Sequence, residues 1–283
     1  MRYSERITTM QSSPIRKLAP IASSAKAKGI KIYHLNIGQP DIKTPKVFFE
    51  AVKNFNNEVL EYAVSPGLPE LISSLQQYYT TYNMDFESDE ILVTNGGSEA
   101  LLFALMATCD PKDNILVPEP FYSNYNGFSQ SINVNITPIT TKAEEGFHLP
   151  SKEKIQSLIT SKTKAILISN PGNPTGTVYT KKELYMISEI AKENDLWIIS
   201  DEVYREFVYD GLEYTSFGNI KEVEDRVIII DSVSKIYSAC GARIGSIASK
   251  DKTLIADIFK FCQGRLCVSA LDQVGSVELY NTP

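Results

Sequence analysis

Seven short apolar runs, each ending on polar residues, constrain this chain more than any other feature. They read EILVTN, NILVPEP, VNITPIT, KAILISNP, LWIISDEVY, RVIIIDSVS and GSIAS, all between Glu90 and Ser249. Consecutive Ile, Leu and Val leave a strand no polar face to show to water. Such strands must be covered on both sides, as parallel strands between two helix layers are. Among the intervening stretches, GSEALLFALMATC has apolar residues at helical spacing, and TKKELYMISEIAKEND is amphipathic with Thr180 at its N-cap. Strand alternating with helix predicts an α/β fold, with a mostly parallel seven-stranded sheet sandwiched by helices.

The first part of the chain breaks this rhythm. SSPIRKLAPIASSAKAKG predicts a short helix punctuated by proline, and IKIYHLNIGQPD a strand running into a loop. Residues 1–45 are therefore expected to form an N-terminal arm and part of a smaller lobe, and residues 46–283 one large domain. LDQVGSVELYNTP predicts a helix and a stop. With 283 residues, 43% of them hydrophobic, a large core is available. The net charge of -6 argues against a general nucleic-acid surface. Cys109, Cys240, Cys262 and Cys267 form no CxxC pair, and His34 and His148 lie far apart. That pattern argues against a metal site or a disulfide framework and fits a reducing cytosol. The opening MRYSERITTMQSS lacks a secretory apolar core, and no run is long enough for a membrane helix. The expectation is a soluble, cytoplasmic protein with no membrane and no nucleic-acid partner.

In an open parallel sheet, ligands sit beyond the carboxyl ends of the strands. The polar residues that follow the apolar runs are thus the candidates. After the first run come Gly97, Ser98 and Glu99, which open a helix whose free N–H groups would attract an anion. Tyr122 follows the second run, and Asn173 lies in the rigid turn NPGNPTG after the fourth. Asp201 and Tyr204 follow the fifth; Ser232, Ser234, Lys235 and then Arg243 follow the sixth. Singly, each has a plain structural reading as a turn, a cap, packing or a surface charge. Together they ask for a phosphorylated, flat, electron-deficient ring that reacts with an amine. The helix start, a serine hydroxyl and Arg243 would hold the phosphate, and Tyr122 would stack on the ring. Asp201 would pair with a ring nitrogen, Asn173 and Tyr204 would bond a phenolic oxygen, and Lys235 would condense with an aldehyde. Pyridoxal 5'-phosphate meets each requirement.

Seven motifs, NIGQPD, EYAVSPGLPELISSL, VTNGGSEAL, PFYSNY, SNPGNPTG, SDEVYREF and SVSKIYSACGARIGS, occur in one order. With them the chain resembles the class I/II aminotransferases, the fold-type I pyridoxal-phosphate enzymes related to aspartate aminotransferase, from about Ile7 to the last residue. The resemblance implies transfer of an amino group between an amino acid and a 2-oxo acid. It implies Lys235, Asp201 and Tyr204 as catalytic residues, with Ser232 and Arg243 on the phosphate. It places Gly38 and Asn173 near the substrate. It also implies a homodimer with shared active sites, in which Tyr62 reaches the partner's cofactor. The family's C-terminal small domain, with its arginine for the substrate α-carboxylate, has no counterpart in these residues, and Arg265 does not match that arginine.

Rival readings use the same residues. A β-lyase or a synthase on the same cofactor would need the same ring contacts, and a non-catalytic relic of the fold would keep the sheet alone. Ser232-Val233-Ser234-Lys235 also spells S-x-x-K, the serine-acylation motif, but no K-T-G accompanies it.

Overall fold

The computed structural model describes residues 1–14 and 16–282. Its centre is a seven-stranded sheet in the order β1-β7-β6-β5-β4-β2-β3. The strands are β1 (Ile91–Asn95), β2 (Asn114–Glu119), β3 (Asn135–Thr140), β4 (Thr163–Ser169), β5 (Trp197–Asp201), β6 (Val227–Ser232) and β7 (Ile244–Ala248). The ladder from β3 through β2, β4 and β5 to β6 is parallel, and β7 runs antiparallel to both β6 and β1. All seven predicted runs are strands, and the mostly parallel α/β sandwich is as expected.

Eleven α-helices accompany the sheet among the described residues. Before β1 come α1 (Glu5–Thr9), α2 (Ala19–Ala27), α3 (Lys46–Lys53) and α4 (Pro69–Thr81). Within the sheet region follow α5 (Gly96–Thr108), α6 (Asn124–Ser131), α7 (Lys152–Gln156), α8 (Lys181–Glu193) and the single turn α9 (Val233–Ile236). The chain then runs into α10 (Lys252–Arg265) and α11 (Ala270–Tyr280). No helix among the described residues is long and apolar enough to cross a membrane.

Strand alternation divides the core in two. Val227 and Ile229 join α4, α8 and α11 on one face, while Ile228 and Ile230 join α5, α6 and α10 on the other. Ile228, Ile229 and Ile230 are all 0% exposed. Burying a side chain of this size stabilises by roughly 1.5–3 kcal/mol, which is why an unbroken isoleucine run fits only a strand covered on both sides.

The strand predicted over IKIYHLNIGQPD is not present; residues 30–41 are irregular. Ile30, Tyr33, Leu35 and Ile37 are 54%, 72%, 96% and 52% exposed. A lone extended segment gains no ladder hydrogen bonds, and its apolar pattern has nothing to pack on. The segment is instead pinned at its end, where the Thr44 hydroxyl donates to the Ser238 carbonyl at 2.7 Å and the Ser238 hydroxyl to the Ile42 carbonyl.

Candidate active site

The carboxyl edge of the sheet gathers the candidates. Helix α5 follows β1 without a loop, and its N-cap Asn95 makes no side-chain cap bond. The Asn95 N–H is taken by the Glu99 carboxylate at 2.8 Å. The open N–H groups of the first turn are therefore those of Gly96, Gly97 and Ser98. The helix begins one residue before Gly97, the first of the three residues singled out from the sequence. Glu99 stands at the fourth helical position, where its N–H turns back along the helix, and its carboxylate also lies 3.3 Å from Arg265 Nε.

Gly96 is the residue that sequence reasoning missed. Its φ is +73°, and a Cβ there would stand 2.3 Å from Arg243 Nη2. The Arg243 guanidinium thus lies against the open helix start. Arg243 itself has φ +54°, a left-handed conformation that costs a non-glycine residue roughly 1–3 kcal/mol. Strain of this kind is retained where a side chain must be aimed. Close approach has a second requirement at Gly245 of β7, where a Cβ would come within 2.5 Å of the Gly96 backbone. Ser232 lies beside Gly97, and its hydroxyl donates to the Ile244 carbonyl at 2.8 Å while sitting 2.8 Å from Ser234 Oγ.

Asp201 ends β5 and is buried. Its Oδ2 accepts the Tyr125 hydroxyl at 2.6 Å, and its Oδ1 the Val203 N–H at 3.4 Å. Burial raises its pKa to about 6; those two bonds oppose the rise, and the neighbouring Asp231 and Glu202 charges add to it. Burial and the Asp201 charge push the Tyr204 phenol up to about 12, and raise Tyr122 as well. Both phenols therefore feel the charge of the same carboxylate. Tyr125, three residues after Tyr122 in PFYSNY, was not singled out from the sequence; an aromatic one helical turn beyond a candidate is the signal that could have found it.

Asn173 sits in the predicted turn, closed by the Gly172 N–H on the Thr177 carbonyl at 2.8 Å, and shares a crevice with Phe121, Tyr125 and Ser169. Asn170, buried just before it, takes a different job. It binds the Asp201 carbonyl through its N–H and the Tyr179 N–H through its side chain, locking β4 to β5.

Lys235 lies in the single turn α9 after β6, and its Nζ donates to the Gly38 carbonyl at 2.6 Å. Gly38 in turn lies close to the Tyr204 hydroxyl, which a Cβ at Gly38 would approach to 3.7 Å. Lys235, Gly38 and Tyr204 thus lie in one chain of contacts, and Arg243 lies against Gly96 as Ser232 lies beside Gly97. Tyr62 does not join them within this chain: it is 80% exposed.

Alternation turns the next residues to the reverse face. Glu202 and Asp231 carry carboxylates there, and Arg205 lies between them, 2.8 Å from Glu202 and 2.6 Å from Asp231. All three side chains are fully buried. These charges were not anticipated from the sequence, although Glu202 and Arg205 stand one helical turn apart and Asp231 interrupts an isoleucine run.

A cavity of about 670 Å³ lies elsewhere, between residues 148–151 and α8. Of the two carboxylates that line it, Glu183 is engaged by Thr180, Leu149 and His148, and Glu189 pairs with Lys152 at 3.0 Å. The candidates read from the sequence lie at the strand ends, not in this hollow.

The sequence profile described as "Aminotransferase class I and II" matches residues 30–282. The chain is 34% identical to the probable aspartate aminotransferase of Methanocaldococcus jannaschii, covering 97% of this chain and 72% of that protein. The solved aspartate aminotransferase of Thermotoga maritima superposes with a TM-score of 0.94 at 30% identity, over 99% of this chain and 75% of that one. The alanine aminotransferase of Pyrococcus furiosus superposes with a TM-score of 0.92 at 33% identity, over 100% and 73%.

Proposed function

This chain belongs to the class I and II aminotransferases, and from that premise we propose that it moves an amino group between an amino acid and a 2-oxo acid with pyridoxal 5'-phosphate as cofactor. One observation carries the reading: the uncapped start of α5 faces the Arg243 guanidinium on the same sheet edge that holds buried Asp201 and the Lys235 amine. These residues fit the group. A phosphate suits open N–H groups, a helix dipole, a hydroxyl and a guanidinium. A carboxylate at the end of β5, bonded by a phenol and a backbone N–H, suits a protonated ring nitrogen. When bound, the cofactor supplies an aldehyde that takes up amines and a ring that withdraws electrons from the α-carbon.

The residues divide the work. Gly96, Gly97, Ser98, Ser232 and Arg243 would hold the phosphate, and Tyr122 would cover the ring. Asp201, kept in place by Tyr125, would hold a proton on the ring nitrogen. Asn173 and Tyr204 would orient the ring oxygen. Lys235 Nζ would hold the cofactor's aldehyde end and serve as the amine that moves a proton at the substrate α-carbon. Gly38, already within reach of Lys235, would border the substrate carboxylate. The S-x-x-K reading has less support, because no K-T-G accompanies it.

A homodimer belongs to this proposal. Val59, Leu60 and Tyr62 are 64%, 62% and 80% exposed, an apolar stretch that a second copy would cover and that would bring Tyr62 to the partner's phosphate. Residues 1–45 as an arm with part of a smaller lobe, and a cytoplasmic location, are part of the same reading. The named relatives make aspartate and alanine the first donors to assay.

Treatment with pyridoxal phosphate and borohydride should fix the cofactor on the peptide containing Lys235. Lys235→Ala should lose both that label and roughly 10³-fold or more of transaminase activity. A label persisting on the same peptide in the variant would overturn the assignment.

A further inference from the structure

We propose that Arg205 is a positioning residue for this site, a clamp on the reverse face of the sheet that fixes the end of β5 against the end of β6. The proposal rests on the cofactor reading above and adds a residue to it. Asp201 and Ser232 point toward α5; Glu202 and Asp231, their immediate neighbours in sequence, point the other way. Whatever sets the spacing of the second pair therefore sets the spacing of the first.

Arg205 bridges that second pair. Its Nη1 donates to Asp231 Oδ2 at 2.6 Å, and its Nη2 and Nε to Glu202 Oε2 at 2.8 and 3.2 Å. The Asp231 carboxylate and the Glu202 backbone are also tied to the end of β6. Asp231 Oδ1 accepts the Ser232 N–H at 2.7 Å, and the Glu202 N–H donates to the Ile230 carbonyl at 2.9 Å. Ser200 and Ser216 donate to Glu202 Oε1 at 2.8 and 2.7 Å, and Tyr214 to Oε2 at 2.5 Å. The guanidinium carbon lies 5.1–5.4 Å from the ring centres of Tyr78, Tyr79 and Tyr82, so the clamp also docks on α4 and the residue that follows it.

Stability alone is a weak reason for such a cluster, because packed apolar residues commonly do as well as a buried ion pair. This one also leaves an excess carboxylate beneath the site. Tyr125 of α6 donates to Asp201, the Asp201 charge raises Tyr122 and Tyr204, and the Asp231 and Glu202 charges, whose counter-charge is Arg205, raise Asp201 in turn. Removing Arg205 would both loosen the two strand ends and strengthen the negative field at Asp201. Lysine would keep the charge but not the fork that reaches both carboxylates.

The test compares wild type, Arg205→Lys, Arg205→Met and Asp231→Asn, using the full chain. Two quantities are read: the dissociation constant for pyridoxal phosphate, and the titration midpoint of Asp201 by carboxyl ¹³C NMR without cofactor. Arg205→Met should weaken cofactor binding about tenfold or more and move the Asp201 midpoint upward. Arg205→Lys should weaken binding about threefold with the midpoint nearly unmoved. Asp231→Asn should move the midpoint downward, the opposite direction. A folded Arg205→Met protein with wild-type affinity and an unmoved midpoint would overturn the proposal. Should that variant fail to fold, unchanged values in both Arg205→Lys and Asp231→Asn would overturn it equally. If wild type itself binds no pyridoxal phosphate, the cofactor reading falls, and the Asp201 midpoints still decide whether Arg205 governs that carboxylate.

Discussion

Helices α5 and α8 are each 13 residues long, yet they begin in opposite ways. At α8 the chain closes its own terminus: Thr180 accepts the Glu183 N–H, and the Glu183 carboxylate accepts the Thr180 N–H at 2.7 Å. At α5 the N-cap side chain makes no such bond, and a guanidinium lies across the opening. The two carboxylates nearby differ in the same sense. Burial works against Glu183, but the Thr180 hydroxyl, two N–H groups and His148 outweigh it and hold its pKa below the usual value. Burial dominates at Asp201 and lifts it to about 6. One helix start satisfies itself; the other leaves its N-cap side chain unused, as the proposed phosphate site requires.

Asp201→Asn is the strongest way to sharpen that contrast. Asp201 in the folded chain holds its proton between about pH 4 and 6, where the unfolded chain has released it. Native stability therefore falls as pH rises through that window, and the asparagine variant escapes the loss. Without cofactor it should be more stable than wild type near pH 7.5 by up to about 3 kcal/mol, while binding cofactor less well. Denaturant melts at pH 4 and pH 7.5 decide; parallel behaviour of the two proteins would erase the difference from Glu183.

Arg243→Ala comes next. Loss of a charge-assisted contact should weaken pyridoxal phosphate binding roughly ten- to a hundredfold, leaving the melting temperature almost unchanged. A stability loss without an affinity loss would make α5 resemble α8. Smallest is Thr180→Ala, expected to remove about 1 kcal/mol of stability and leave cofactor affinity alone. Glu183→Gln should follow it with the opposite pH sense to Asp201. Its effect should be full at neutral pH and vanish as acid protonates the wild-type carboxylate.

Much of this was legible because it is local. The isoleucine runs announce covered strands, and TKKE announces the α8 cap within four residues. The strand-end candidates were readable because a parallel sheet collects its carboxyl ends on one edge. What escaped depended on distant partners. IKIYHLNIGQPD alternates like a strand, but only a neighbouring strand could make it one. Gly96 was passed over because the chain turns into α5 there through a positive φ, with Arg243, which arrives far later in the chain, lying against it. Arg205 was overlooked because its pairing with Asp231 crosses from one strand end to the next, and nothing in SDEVYREF signals that.

The place of β7 bears on how the protein is made. It lies between β6 and β1, and Ile91 at the start of β1 pairs with Ala248 at the end of β7. During synthesis on the ribosome, β1 and the opening of α5 must wait for nearly the whole sheet to emerge. The strand that seats them also brings Gly245 and Arg243 to their positions. The proposed phosphate cradle is therefore assembled by the same insertion that completes the sheet, and a nascent chain halted before that strand would carry most of the core without Gly245 and Arg243 against the start of α5.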